Sequence, residues 1–217
     1  MSISLRTQTL IAIALISIAG CSQKSVVSCA RAREYLSHDD DVALGRLIQQ
    51  GCSVNSQIDG DVSWLSIASS EGKPRCLALL LNSGAKVNAQ YGPTQDTALH
   101  LACLEEQLGS VLILVKFGAD VRKVNGIGST PLTLACRGTN PRLVETLIQN
   151  GADVNRADYR GLTALHYAAE ARPVSPDVIR ILVSHGASKT LRTKSGATPT
   201  ELALKVGNKE VLQLLRK

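Results

Sequence analysis

The chain has 217 residues, of which 44% are hydrophobic and only 3% aromatic, and 24 Lys and Arg against 18 Asp and Glu give a formal net charge of +6. Ample apolar content with modest charge excludes intrinsic disorder, and six cysteines over this length do not make a disulfide scaffold. The uncharged apolar run from Leu10 to Ala19 is about half of what a bilayer crossing needs, which excludes a multi-span membrane protein.

The N-terminus falls into three zones: a polar start with one cation (Arg6), an apolar stretch from Leu10 to Ile18, and small residues ending at Gly20. That order is the anatomy of a secretory leader. Ile18, Ala19, Gly20 and Cys21 resemble the lipobox of bacterial lipoproteins, in which the cysteine is acylated and becomes the first mature residue. The family prefers Leu where this chain has Ile18, and an ordinary cleaved leader or an uncleaved anchor is the alternative. The resemblance implies a signal peptide over 1–20, a lipidated N-terminus and short linker over 21–28, and Cys21 as the lipidation site. Each buried methylene of the acyl chains would contribute ~0.8 kcal/mol to anchoring. Ser22, rather than Asp, follows the cysteine, which in the enterobacterial lipoproteins that this leader resembles favours the periplasmic face of the outer membrane.

Beyond residue 28 one phrase recurs. Ser63-Trp64-Leu65-Ser66-Ile67-Ala68, Thr97-Ala98-Leu99-His100-Leu101-Ala102, Thr130-Pro131-Leu132-Thr133-Leu134-Ala135, Thr163-Ala164-Leu165-His166-Tyr167-Ala168 and Thr198-Pro199-Thr200-Glu201-Leu202-Ala203 are spaced by 34, 33, 33 and 35 residues. A second phrase, an apolar helix end followed by Gly, falls at Gly51, Gly84, Gly118, Gly151 and Gly186 with spacings of 33, 34, 33 and 35. Two independent markers on one beat predict a stacked repeat. The hydroxyl residue caps a first helix, with Ala or Pro at its first position. The Leu and Ala that follow bury a narrow face, and the Gly supplies the left-handed residue that ends a second helix. Stretches such as Asp158-Tyr159-Arg160-Gly161 suit a hairpin between units.

Both phrases resemble the ankyrin repeat over the whole of 29–217. The implied fold class is an all-α repeat solenoid: an ankyrin-repeat stack of helix pairs with projecting β-hairpin loops, four complete units between terminal caps. Cys29 to Leu36 forms the leading cap, studded with Arg31, Arg33 and Glu34, and Glu210 to Lys217 forms a half-buried closing helix. Between the helices of the fourth unit, Arg172-Pro173-Val174-Ser175-Pro176-Asp177 adds two residues, either a contact surface or neutral drift in a tolerant loop. Charge is polarised along the stack: residues 22–108 carry 7 Lys and Arg against 10 Asp and Glu, and residues 109–217 carry 16 against 8.

Chemistry finds little purchase. His100 and His166 sit where ankyrin repeats commonly carry a His for hydrogen bonding between repeats, and His38 and His185 belong to loops of different units. Neither a His-x-x-x-His or Cys-x-x-Cys pair, nor a Gly-x-Ser-x-Gly nucleophile, nor a phosphate loop is present. The expectation is no enzymatic activity, no metal and no cofactor. Cys76, Cys103 and Cys136 read as small core hydrophobes. Cys29 and Cys52 fall at neighbouring ends of the leading helix pair, so an oxidising periplasm would favour a disulfide between them, two free thiols being the alternative.

The family binds proteins along its hairpin edge and concave helix face. The resemblance carries that role to Asp59, Gly60 and Val62, to Tyr91, Thr94, Asp96, Leu104 and Glu105, to Ile127, Ser129 and Arg137, and to Tyr159, Arg160, Leu162, Glu170 and Arg172. Tyr91, Ile127 and Tyr159 are bulky side chains on successive tips, suited to anchor a partner or to cover a neighbour's backbone. Arg122, Lys123, Arg156, Arg160, Lys189, Arg192 and Lys194 crowd the later hairpins. Export and the shortage of aromatic platforms argue against nucleic acid, leaving anionic lipid, an acidic protein patch or a simply solvated surface. The expected function is that of an outer-membrane-anchored, periplasmic, monomeric protein-binding module. It resembles the lipoprotein immunity proteins that neutralise type VI lipase effectors, so a secreted phospholipase is a candidate partner. The alternative is a scaffold for a periplasmic enzyme or envelope complex, for example in oxidative-stress defence.

Overall fold

The computed structural model describes residues 29–58 and 61–216. Cys21, Asp59 and Gly60 therefore lie outside the described residues, as do the leader and linker. Twelve α-helices among the described residues form six antiparallel pairs: α1 (Ala32–Ser37) with α2 (Asp41–Gln49), α3 (Trp64–Ser70) with α4 (Pro74–Asn82), and α5 (Ala98–Leu104) with α6 (Leu108–Lys116). The series continues with α7 (Pro131–Ala135) and α8 (Pro141–Gln149), α9 (Ala164–Glu170) and α10 (Pro176–Ser184), and α11 (Pro199–Val206) and α12 (Lys209–Arg216). First helices pack in sequence order on first helices, and second helices on second helices. Each unit thus buries its apolar face mainly against the next, as a solenoid requires.

The recurring phrase explains the first helices residue by residue. Oγ of Ser63, Thr97, Thr130 and Thr198 accepts the N–H three residues on, at 3.0, 3.4, 3.3 and 3.2 Å, satisfying a donor that the helix itself cannot. The Leu of the phrase is buried in Leu99, Leu132 and Leu165. The Ala is buried in all five copies, at Ala68, Ala102, Ala135, Ala168 and Ala203, and its small side chain lets adjacent first helices close on each other. Second helices contribute Leu44, Leu77, Leu80, Leu114, Leu143, Leu147 and Ile179, all at 1% exposure or less. Pro opens α4, α8 and α10, where its missing N–H costs nothing.

Side chains stitch unit to unit. Nε2 of His100 donates to the Ser129 carbonyl at 3.0 Å, while Nδ1 faces the Thr97 hydroxyl at 2.8 Å and accepts the Thr97 N–H at 3.3 Å. His166 repeats this with the Ala197 carbonyl and Thr163. In the third unit Thr133 takes the His position, its Oγ1 accepting the Thr130 N–H at 2.9 Å. After the second helices, Oδ1 of Asn55, Asn88 and Asn155 accepts an N–H of the following unit, from Lys86, Asp120 and Ser188 respectively. The third unit has Arg122 at the Asn position, and its Nε donates to the Gly151 carbonyl at 2.7 Å.

Cys29 and Cys52 are joined by a disulfide with a Cα–Cα distance of 5.8 Å, stapling the leading pair. Cys76, Cys103 and Cys136 are free thiols buried in the core. Burial, followed by the nearby Asp39, pushes the Cys76 pKa up to about 12, and burial raises those of Cys103 and Cys136 as well, so all three remain protonated.

Candidate interaction groove

Between units the chain projects as fingers, but only the first described finger forms a two-stranded ladder, β1 (Gln57–Ile58) with β2 (Val62–Ser63). The second has a single bridge between Tyr91 and Asp96. The later three are tight turns rather than the hairpins expected, each closed by one bond from N–H to carbonyl: Asn125 to Ser129, Asp158 to Leu162 and Thr193 to Ala197. In the first two of these an Asx turn explains the brevity, and in the last the Thr193 hydroxyl accepts the Ala197 N–H at 3.1 Å. The Asn125 amide oxygen accepts the N–H of Ile127 and Ser129, and the Asp158 carboxylate accepts those of Arg160 and Leu162.

The fingers are also zipped to one another. Gly126 N–H donates to the Thr94 carbonyl at 2.7 Å, Tyr159 to Ile127 at 3.1 Å, and Lys194 to Arg160 at 2.8 Å. Close approach of neighbouring backbones leaves no room for a Cβ at Gly161, which has φ +82° and whose added carbon would lie 2.9 Å from the Lys194 nitrogen.

Behind the third and fourth fingers lies a groove of about 700 Å³. It is lined by Gly126 and Ile127 of the third finger, Tyr159 and Arg160 of the fourth, and Arg137, Tyr167, Glu170, Ala171 and Arg172 from the first helices and the loops after them. A second groove of about 400 Å³ shares Tyr159, Arg160 and Glu170, and continues along Leu162, Thr193, Lys194, Ser195, Leu202 and Lys205. Ile127 and Tyr159 are 51% and 60% exposed, so two large apolar side chains project together at the rim.

Of the residues singled out from sequence, Ile127, Arg137, Tyr159, Arg160, Glu170 and Arg172 meet at the first groove, and Leu162, only 7% exposed, lies in the wall of the second. Val62, Tyr91, Thr94, Asp96, Leu104 and Glu105 belong to the earlier fingers and first helices and line neither groove. Asp96 is half-buried and accepts from the Asn125 amide at 2.7 Å, and Thr94 spends its carbonyl on Gly126. Ser129 requires correction: it is fully buried beneath its finger, where its carbonyl receives His100, and it has no surface to offer a partner.

Tyr167 was missed because it stands in the framework phrase, at a place that holds Ile67, Leu101, Leu134 and Leu202 in the other units. A tyrosine among aliphatics was the available signal. Its hydroxyl donates to Asp158 Oδ2 at 2.7 Å and receives Arg160 Nη2 at 3.3 Å. Asp158 is 6% exposed and uses both oxygens, so it fixes the finger while holding Tyr167 and Arg160 against the groove. The contact with the Tyr167 hydroxyl, aided by Asp158, raises the pKa of the Arg160 guanidinium further above its ordinary value.

Among the described residues no group of three or more His, Cys, Asp and Glu side chains is placed to hold a metal ion, and no helix is long and apolar enough to cross a membrane. A model of ankyrin repeats in three copies matches residues 35–125, 65–158, 111–193 and 157–217. The chain is 32% identical over 180 residues to NF-kappa-B inhibitor cactus of Drosophila yakuba, covering 80% of this chain and 34% of that protein. It is 30% identical over 155 residues to the putative ankyrin repeat protein YahD of Escherichia coli K12, covering 70% of this chain and 77% of the relative. Ankyrin repeat and SOCS box protein 11 of Danio rerio is 35% identical over 146 residues, 67% of this chain and 37% of that protein. The chain thus spans about a third of the first and third of these relatives and about three quarters of the second.

Proposed function

The chain belongs to the ankyrin-repeat family of protein-interaction modules, and from that premise we propose that it is an envelope-tethered immunity protein that binds and neutralises a secreted effector, a phospholipase being the candidate class. The observation that carries the reading is the groove behind the third and fourth fingers, where exposed Ile127 and Tyr159 stand beside Arg137, Arg160 and Arg172 on a rigid, zipped backbone. A preorganised recess with apolar anchors and a charged rim is built for one macromolecular partner and loses little entropy on binding it.

The address rests on two supports. Ile18, Ala19, Gly20 and Cys21 resemble a lipobox, and the Cys29–Cys52 disulfide suits an oxidising compartment such as the periplasm. A tether at Cys21 would hold the groove near the membrane that a lipase attacks. Incorporation of labelled palmitate at Cys21, lost in Cys21→Ala, tests the anchor. Affinity capture from envelope extracts, followed by periplasmic expression of the captured protein with and without this chain, tests the function. Protection from killing is the expected outcome, and equal killing in both strains overturns it.

A further inference from the structure

Of the cations around the two grooves, Arg160 is neutralised by buried Asp158 at 3.7 Å. Among the described residues, Arg75 pairs with Asp39 and Asp41, Arg180 with Asp177 and Glu210, and Arg192 with Glu201. The other four groove cations, Arg137, Arg172, Lys194 and Lys205, are exposed and take part in no ion pair with another described residue. Among the lining residues these four face a single exposed carboxylate, Glu170, because Asp158 is buried and already paired with Arg160. Positive charge begins abruptly at the third unit: the position of Arg137 is Leu104 one unit earlier, with Glu105 beside it and Asp96 on the adjoining finger. A recess walled by fingers accepts a polypeptide segment, whereas a flat bilayer cannot enter it.

Resting on the protein-binding reading above, we infer that the occupant is an acidic segment of the partner protein lying along both grooves. Its carboxylates meet Arg137 and Arg172 on one side of the Tyr159 ridge and Lys194 and Lys205 on the other. An apolar side chain between them seats against Ile127 and Tyr159. Glu105 and Asp96 repel the acidic segment beyond the third unit and so fix its register.

The test selects random displayed 12-residue peptides on the purified full chain and measures the winners by fluorescence titration. The comparison variants are Arg137→Gln/Arg172→Gln/Lys194→Gln/Lys205→Gln and its Glu counterpart, each checked for an unchanged thermal melt. Enriched peptides rich in Asp and Glu around an apolar residue are expected. They should bind the Gln variant roughly tenfold more weakly, and weaken about tenfold again between low and high salt. Neutral or basic winners, no winners, or affinity indifferent to the substitutions overturn the inference. So does binding of phosphatidylglycerol vesicles or of a second copy of the chain that depends on these cations while acidic peptides fail. A protein captured from envelope extracts that holds the charge-reversed variant as well as the native chain leaves the protein-binding reading standing and removes the acidic occupant alone.

Discussion

Removing the disulfide gives a prediction whose size follows from the chain itself. Cys29 and Cys52 are separated by 23 residues, and closing a loop of that length removes about 3.4 kcal/mol of conformational freedom from the open chain. In a globular domain the loss would spread over the whole unfolding transition. In a stack it falls on the leading pair, since among the described residues α1 and α2 pack mainly on each other and on α3 and α4. Cys29→Ala/Cys52→Ala should therefore open the leading pair preferentially. At 1.36 kcal/mol per decade, amide protection in α1 and α2 drops by roughly 300-fold, while α7 to α10 keep theirs. Hydrogen exchange read by mass spectrometry on the oxidised chain and the double variant resolves this by segment. If α1 and α2 exchange at the same rate in both, or if every helix loses protection equally, the account of a locally stapled stack is wrong.

Acidification should loosen the middle of the stack. Burial lowers the pKa of His100 and His166 in the folded chain below the ordinary value of about 6.5. Between the folded and unfolded values the unfolded chain binds more protons, so stability falls as pH drops below about 6.5 and levels off once the folded histidines titrate. Since Thr133 already fills this position in the third unit, His100→Thr/His166→Thr should flatten the dependence of the urea midpoint between pH 7 and 5, and an equally steep profile refutes it. Gly161→Ala should cost about 1–3 kcal/mol, because φ there is +82° and the new carbon meets the Lys194 nitrogen at 2.9 Å; an unchanged denaturation midpoint counts against a zipped edge. Tyr167→Phe removes the donor to Asp158 and should cost about 1 kcal/mol by urea melt while leaving the six helix pairs intact by circular dichroism. A variant as stable as the native chain would mean that the hydroxyl contact contributes nothing net.

Much of the fold was legible because its causes are local and repeated. A capping hydroxyl, a buried Leu and a small Ala recur at a fixed offset, as does a terminal Gly. Each acts within a few residues of itself, so a 33-residue beat suffices to place the helix pairs. The leading cap could be recognised from Arg31, Arg33 and Glu34 despite lacking the phrase. The fingers were harder to read. A hairpin and an Asx turn need the same turn-forming residues, and only the backbone bonds Asn125 to Ser129 and Asp158 to Leu162 distinguish them.

The groove shows where sequence reasoning ends. Position in the repeat was enough to select Ile127, Arg137, Tyr159, Arg160, Glu170 and Arg172, since a residue's place in its unit fixes which face it occupies. It could not separate them from Ser129, which has the same kind of address but turns inward to serve His100, nor find Tyr167, which looks like framework. The first distinction depends on a contact 29 residues apart, between units whose spacing is set by how tightly successive Ala-lined helices close, and the second on contacts 7 and 9 residues apart that only the folded finger brings together. One unit's residues determine its own helices, whereas the recess between two units exists only once both have packed.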